Sequence, residues 1–477
     1  MIHSIRSSAL AVAVAAGWAL PAQAQGTDAA AVQQELAAMR AQMAQMAQRI
    51  DTLENQLAAA NAKADAATSA ASAATAAVEK GAAPVAASPT ATAKPATEIT
   101  WDGAPKLATR DGWSFKPRGR VQLDAGSVSA PAGIVDRAGL TNKDLGFAAE
   151  ARRAQLGFDG TVPGGFTYRI EAEFAGNSIT LNDVYLSYKP SADLTLTLGH
   201  HKTAMGLEEM TSDLFSSFHE RAAYTIAFGF ERRLGLSATY VGKALLVQGG
   251  IFTDDISALN ADTNNSFALD GRVAFMPRIG SGQLHIGGSI HYRQFNDLTA
   301  PLSYSVRPFL HTTDLKMVNT GTIPGATGER GIGAELAYVN GRFHASAESF
   351  WQKVLRTGLA DPTFNGGYAE LGYLLTDDAT VYKAGAYDRI RPKHPLGKGG
   401  IGAIQVNARY DWLDLNDAGI IGGRQQIAGL SLIWIPSDYV RFIANYGHLW
   451  ISDSPVLAGG KSSYGADAFG LRAQFDF

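Results

Sequence analysis

Arginine is the residue type in this sequence whose spacing could do chemistry. Arg118, Arg120, Arg153, Arg169, Arg272, Arg293, Arg342, Arg409, Arg441 and Arg472 all fall on the polar parity of stretches in which polar and apolar residues alternate. A guanidinium presents five donors in one plane and grips carboxylate or phosphate oxygens two at a time. A row of them on one face is therefore a surface for small anions. Acids share that face: Asp124, Asp159, Glu171, Glu173, Asp270, Glu335, Glu348 and Asp411. Part of the row is thus expected to pair internally and simply solvate the wall. Other chemistries lack their residues. There is no cysteine, which removes thiolate ligands, disulfides and cysteine nucleophiles together. HExxH, GxSxG and a P-loop are absent, and the ten histidines are scattered, with His200 and His201 at a strand end. The expectation is a protein with no cofactor or metal, and not an enzyme.

The elements that carry the arginines are short and regular. Residues 118–125 set Arg118, Arg120, Gln122 and Asp124 against Gly119, Val121, Leu123 and Ala125. Segments 167–174, 284–293 and 404–412 repeat the pattern. Period two puts each set on one face of a strand. A soluble sandwich would bury the apolar face against a second sheet, whereas a membrane barrel would turn it to lipid and keep the charges in a wet lumen. Three features favour the barrel. The polar face repeatedly carries Arg, Glu and Asp. Aromatic residues, among them Trp351, Tyr410, Trp412, Trp434, Tyr446 and Trp450, are expected at strand ends as interfacial girdles. The chain also finishes on an alternating strand with a terminal aromatic, Phe469, Leu471, Ala473, Phe475 and Phe477.

Composition agrees. Of 477 residues, 46% are hydrophobic and 18% charged, which excludes global disorder. The net charge of −3 shows no basic excess, so no nucleic-acid partner is expected. Beyond the N-terminus there is no run of about 20 apolar residues, so no membrane helix is expected, a test that alternating strands escape. At about 9–11 residues per strand and as much again in connections, residues 113–477 hold about 16 antiparallel strands, enough to leave an aqueous channel. The fold class is all-β, a transmembrane antiparallel barrel preceded by a coiled coil.

Residues 1–24 read as a secretory signal peptide, with Arg6 ahead of an apolar run and Ala22-Gln23-Ala24 as the cleavage site. In 28–63 the series Val32, Leu36, Met39, Met43, Met46, Ile50, Leu53, Leu57 keeps a 4,3 spacing, the heptad of a coiled coil. Glu35 with Arg40, and Arg49 with Glu54, occupy g and the next e with opposite signs, which favours parallel self-association. Residues 64–112, rich in Ala, Pro and Thr, are expected to be a flexible linker.

The barrel segment resembles the phosphate-selective porins O and P over essentially its full length. The resemblance lies in Phe115 to Asp124, Ala151 to Leu156, Asp183 to Tyr188, Leu198 to Lys202, Glu220-Arg221, Arg233 to Leu236, Leu374 to Thr376, Gly399 to Ala403 and Ala408 to Asn416, in that order. It implies a 16-stranded homotrimeric channel of the Gram-negative outer membrane, in contact with lipid and lipopolysaccharide, with an inward-folded third loop. The coiled coil would then stand in the periplasm, within reach of peptidoglycan or periplasmic partners, and the barrel could serve as an anchor for it. The resemblance further implies that Arg120, Arg152 and Arg153 line the constriction with Asp183 beside them. Arg152 has the wrong parity, so its inward aim requires a bulge or strand end.

The third loop is expected from Thr203 to about Arg232. Relatives selective for phosphate carry lysines there. Here residues 203–220 hold Glu208, Glu209, Asp213 and Glu220 and no Lys or Arg, leaving Lys202, Arg221, Arg232 and Arg233 as the positive charges around it. Of the chain's 41 Lys/Arg and 44 Asp/Glu, residues 1–112 hold 8 and 9, which leaves 33 against 35 in the barrel. Preference for phosphate or another oxyanion must then come from charge placement, and a general or cation-preferring nutrient pore is the alternative. A last basic cluster, Arg389, Arg391, Lys393, His394 and Lys398, reads as an extracellular anion funnel or a solvated loop.

Overall fold

The computed structural model describes Gln48 and residues 97–139, 145–176, 178–260, 265–296 and 301–477. The chain divides into two units, 1–93 and 94–477. The signal peptide, the linker up to residue 96 and the coiled coil, apart from Gln48, lie outside the described residues.

Sixteen strands close into an antiparallel barrel. They are β1 (Ser114–Ser129), β2 (Phe147–Val162), β3 (Phe166–Glu173), β4 (Thr180–Tyr188), β5 (Leu194–Lys202), β6 (Arg232–Val241), β7 (Leu245–Phe252) and β8 (Phe267–Phe275). The second half comprises β9 (Gly282–Gln294), β10 (Ala326–Asn340), β11 (Phe343–Arg356), β12 (Thr363–Leu374), β13 (Ala403–Asp417), β14 (Ile420–Ser437), β15 (Val440–Ser452) and β16 (Tyr464–Asp476). Each pairs with the next, and β16 returns to β1 with Arg472 opposite Asp124. Closure leaves no sheet edge, so every strand satisfies its backbone within the barrel, which a span through hydrocarbon requires.

The alternation dictates which way each face turns. Leu198 is 60% exposed, and Leu123, Ile290 and Leu430 point outward with it. Arg472 is 2% exposed, and Arg272, Glu335 and Glu370 are buried inside. Apolar side chains outside and charges inside invert the order of a soluble protein, the pattern lipid imposes on a barrel. Tyr410 and Tyr446 also face outward, but they sit in mid-strand rather than at strand ends, because strand pairing centres them at Ala428 and Leu430.

The closing ladder between β16 and β1 extends to the last residue of the sequence. Gly119 and Phe477 exchange backbone hydrogen bonds of 3.2 and 3.0 Å. A Cβ on Gly119 would stand 2.5 Å from the Phe477 ring, so any larger residue there would push the terminal aromatic aside.

Three sequence expectations shift here. The linker stops short of residue 112: Thr97–Asp102 and Ala104–Thr109 form a hairpin, and Leu107 pairs with Phe115 of β1. Arg342 is a turn residue between β10 and β11, paired with Asp377 at 3.0 Å, because the strand ends before its parity can carry it inward. The connections at one end, such as 163–165, 242–244 and 438–439, are short, and short turns mark the periplasmic end of such barrels. The exception is 375–402, between β12 and β13. It holds the basic cluster, which therefore sits at the periplasmic end and is not an extracellular funnel. Arg391 pairs there with Asp438 at 2.6 Å. Arg389 reaches Asp476 and lies over the Tyr439 ring.

Candidate functional site: the pore constriction

Residues 203–231, between β5 and β6, fold back into the lumen and include two short helices, α1 (Leu207–Met210) and α2 (Ala223–Ala227). Apolar residues drive part of this. Phe218, Tyr224, Phe228 and Phe230 form a buried cluster with Tyr304 and Phe309 from the 295–325 connection and with Phe350 and Tyr368 on the wall. Phe230 meets Phe350 edge-on at 4.8 Å and Phe218 meets Phe309 at 5.9 Å.

Wall charges hold the rest. Glu348 accepts the backbone N–H groups of Leu207 and Glu208 at 2.8 and 2.7 Å, satisfying donors that a helix start leaves free. Asp411 accepts the Ala223 N–H at 2.8 Å. Arg409 bridges Glu208 at 2.8 Å and Glu370 at 2.6 Å, its guanidinium over the Phe218 and Tyr368 rings. Arg441 donates to the carbonyls of Leu214 and Ser216, and Arg472 to that of His219.

The residues expected at the constriction do converge. Gln122 pairs with Arg153 and Leu123 with Ala151, so Arg152 is the extra residue of a β-bulge, which turns it inward against its parity. Arg152 grips Glu220 with two hydrogen bonds of 2.9 and 3.0 Å. Arg120 and Arg153 both reach Asp213, the latter at 2.7 Å. Asp183 sits at a second bulge, opposite Glu171, and pairs with Arg232 at 2.6 Å and Arg169 at 3.5 Å. Lys202 and Arg221 share Glu209 at 2.8 and 3.3 Å. Arg233 forms no ion pair among the described residues, and its Nη1 makes no hydrogen bond. The four loop acids thus cancel much of the positive charge that the strands bring to the narrow zone. Their parity was irrelevant to this role, and nothing in their spacing identified their partners.

Loop electrostatics follow from these contacts. Burial alone would raise the Asp213 carboxyl, but Arg120, Arg153 and Arg221 outweigh it and hold it well below the usual range. The same balance, with Arg152 and Arg472 as the cations, depresses Glu220. Burial and the neighbouring Arg472 lower His219 to about 4, so it is neutral at neutral pH. Because both carboxyls titrate below their unfolded values, their stabilisation of the loop is complete above about pH 4.5 and is lost only as pH falls through the depressed values. The part of loop docking that Asp213 and Glu220 supply is therefore expected to be constant from pH 8 to about 5, and single-channel noise from its loss is expected only below about pH 4. A step near pH 6 that Glu220→Gln leaves in place would be assigned to the wall carboxylates Glu348 and Asp411, which also bond the loop.

Two cavities flank this partition. An outer one of about 730 Å³ is lined by eight Lys/Arg, including Arg152, Arg153, Arg221 and Arg233, and by six acids. A periplasmic one of about 370 Å³ is lined by eight Lys/Arg, including Lys116, Arg118, Arg120, Arg169, Lys202 and Arg389, against five aspartates. Arg232 lines both. Arg118, Arg169 and Arg389 complete the inner chamber. Arg389 lies outside any strand, so strand parity could not reveal it.

Comparison with known proteins gives a consistent picture. Residues 115–477 match the family of phosphate-selective porins O and P. An uncharacterized protein of Caulobacter vibrioides is 43% identical over 408 residues, covering 83% of this chain and 81% of the relative. Among solved structures, in-vitro folded OmpT, an outer membrane protein of Vibrio cholerae, superposes with a TM-score of 0.50 at 13% identity, covering 77% of this chain and 99% of its own. An anion-selective porin from Comamonas acidovorans has a TM-score of 0.48 at 14% identity, with 76% and 100% covered. At such identity the likeness to OmpT speaks for the barrel fold alone.

Proposed function

Since the chain belongs to the phosphate-selective porin O and P family and is an outer-membrane porin, we propose that it forms a passive, water-filled channel preferring small anions, phosphate and other oxyanions among them. One observation carries the reading. The barrel segment as a whole is slightly acidic, with 33 bases against 35 acids, yet the inner chamber is lined by eight bases against five acids. Charge is placed where ions pass rather than added overall, and placement is what biases permeation. Phosphate specificity by loop lysines has no counterpart here, so arginines on the strands would carry the selectivity.

In planar bilayers under a KCl gradient, the reversal potential is expected to lie toward the chloride equilibrium potential. Added phosphate is expected to reduce the chloride current, because guanidinium pairs hold a divalent oxyanion longer than chloride. A reversal potential toward potassium would mean a general or cation-preferring pore.

The heptad of residues 28–63 supports parallel self-association, and the family points to a homotrimer; the coiled coil would then stand in the periplasm, with peptidoglycan or periplasmic proteins as its partners.

A further inference from the structure

We propose that the outer chamber selects organic anions with an apolar body, aromatic carboxylates foremost, over bare inorganic phosphate. The inference rests on the anion-channel reading and names its solute class. At about 730 Å³ the chamber lies in the size range of sites that hold organic ligands, and it exceeds the needs of a single tetrahedral oxyanion.

Its lining is mixed in a specific way. Arg233 is 8% exposed, forms no ion pair among the described residues and leaves Nη1 without a hydrogen bond. A buried donor in that condition gains from any anion that reaches it. Ile226, on α2, lines the same chamber and is 39% exposed, although the other strongly exposed aliphatic side chains named above lie on the lipid face. Leu302 and Phe295 join it half-buried, and Phe295 carries the Arg293 guanidinium 5.0 Å above its ring. Phosphate has no surface with which to cover this apolar part of the wall. Benzoate has both halves: a carboxylate for Arg233, and a ring for Ile226 and Leu302 or for stacking on a guanidinium.

The test uses the full-length protein in planar bilayers, with chloride current as the readout and benzoate, acetate and inorganic phosphate as blockers. Acetate keeps the carboxylate and lacks the ring. The half-blocking concentration of benzoate is expected to be at least about tenfold below that of acetate and of phosphate, the worth of covering a ring. Ile226→Asn is expected to bring benzoate to within about threefold of acetate. Arg233→Gln is expected to weaken both carboxylates together. Equal block by benzoate and acetate, tighter block by phosphate, or an Ile226→Asn channel that keeps the full ratio overturns the proposed solute class while chloride preference stands. Potassium preference in the KCl gradient instead overturns the anion-channel reading, so the two failures are distinct.

Discussion

Asp213→Asn is expected to raise the permeability of chloride over potassium by about three- to tenfold. Asp213 stands between Arg120 of β1 and Arg153 of β2, in the partition between the two chambers. Its negative charge is held firmly, since both guanidiniums and Arg221 depress its carboxyl. Asparagine keeps the shape and removes the charge, leaving Arg120 with only the longer pair to Glu171 at 3.8 Å and Arg153 with only the neutral Gln122 at 2.9 Å. An unpaired charge at a few ångströms is worth about 4 kcal/mol at the dielectric of a partly wet site, and salt reduces that to the smaller factor expected. The carboxylate is 13% exposed, so chloride from solution can take its place and the barrel has no need to rearrange. The readout is the reversal potential in a KCl gradient, with phosphate blocking at lower concentration in the variant. An unchanged reversal potential would mean that ions do not pass Arg120 and Arg153.

Arg409→Met is expected to release the third loop and at least double the single-channel conductance, since the loop fills much of the lumen. Arg409 holds Glu208 of α1 to Glu370 of the wall and lies over Phe218 and Tyr368. Glu348 and Asp411 also bond this part of the loop, so without the guanidinium several buried carboxylates would face one another. Removing one partner from a buried charged group costs about 3–5 kcal/mol, which is comparable with what a docked loop can lose before it detaches. Glu370 lies directly opposite Arg409 across β12 and β13, but the backbone hydrogen bonds of that ladder do not depend on the guanidinium, so the heat-modifiable mobility of the folded barrel should persist while conductance rises. Arg409→Lys keeps the charge but loses the planar fork and the stacking, and should fall between the two. A methionine variant with parental conductance would show that the aromatic cluster alone docks the loop.

Much of this protein was written in local pattern. Period-two alternation is a property of neighbouring residues, so the two faces, the strand number and the inward aim of Arg120, Arg409 and Arg472 could be read along the chain. The family resemblance placed Arg152 inward against its parity, which required a strand end or a bulge, and the structure has the bulge. Glycine at 119 and phenylalanine at 477 were visible separately, but their contact was not. Ion pairs form between residues that closure of the barrel brings together, and closure joins positions hundreds of residues apart, as with Arg472 and Asp124. The sequence alone therefore determined which strand residues turn to the lumen, except where a strand ends early, as at Arg342, or a connection folds in, as at Arg389. Only the tertiary structure decided which of them are spent on one another. The third loop places its acids against the strand arginines, and the 375–402 connection turns its basic cluster toward the periplasmic end. Coulombic pairing depends on distances through space, and no spacing along the chain encodes those until the barrel has closed.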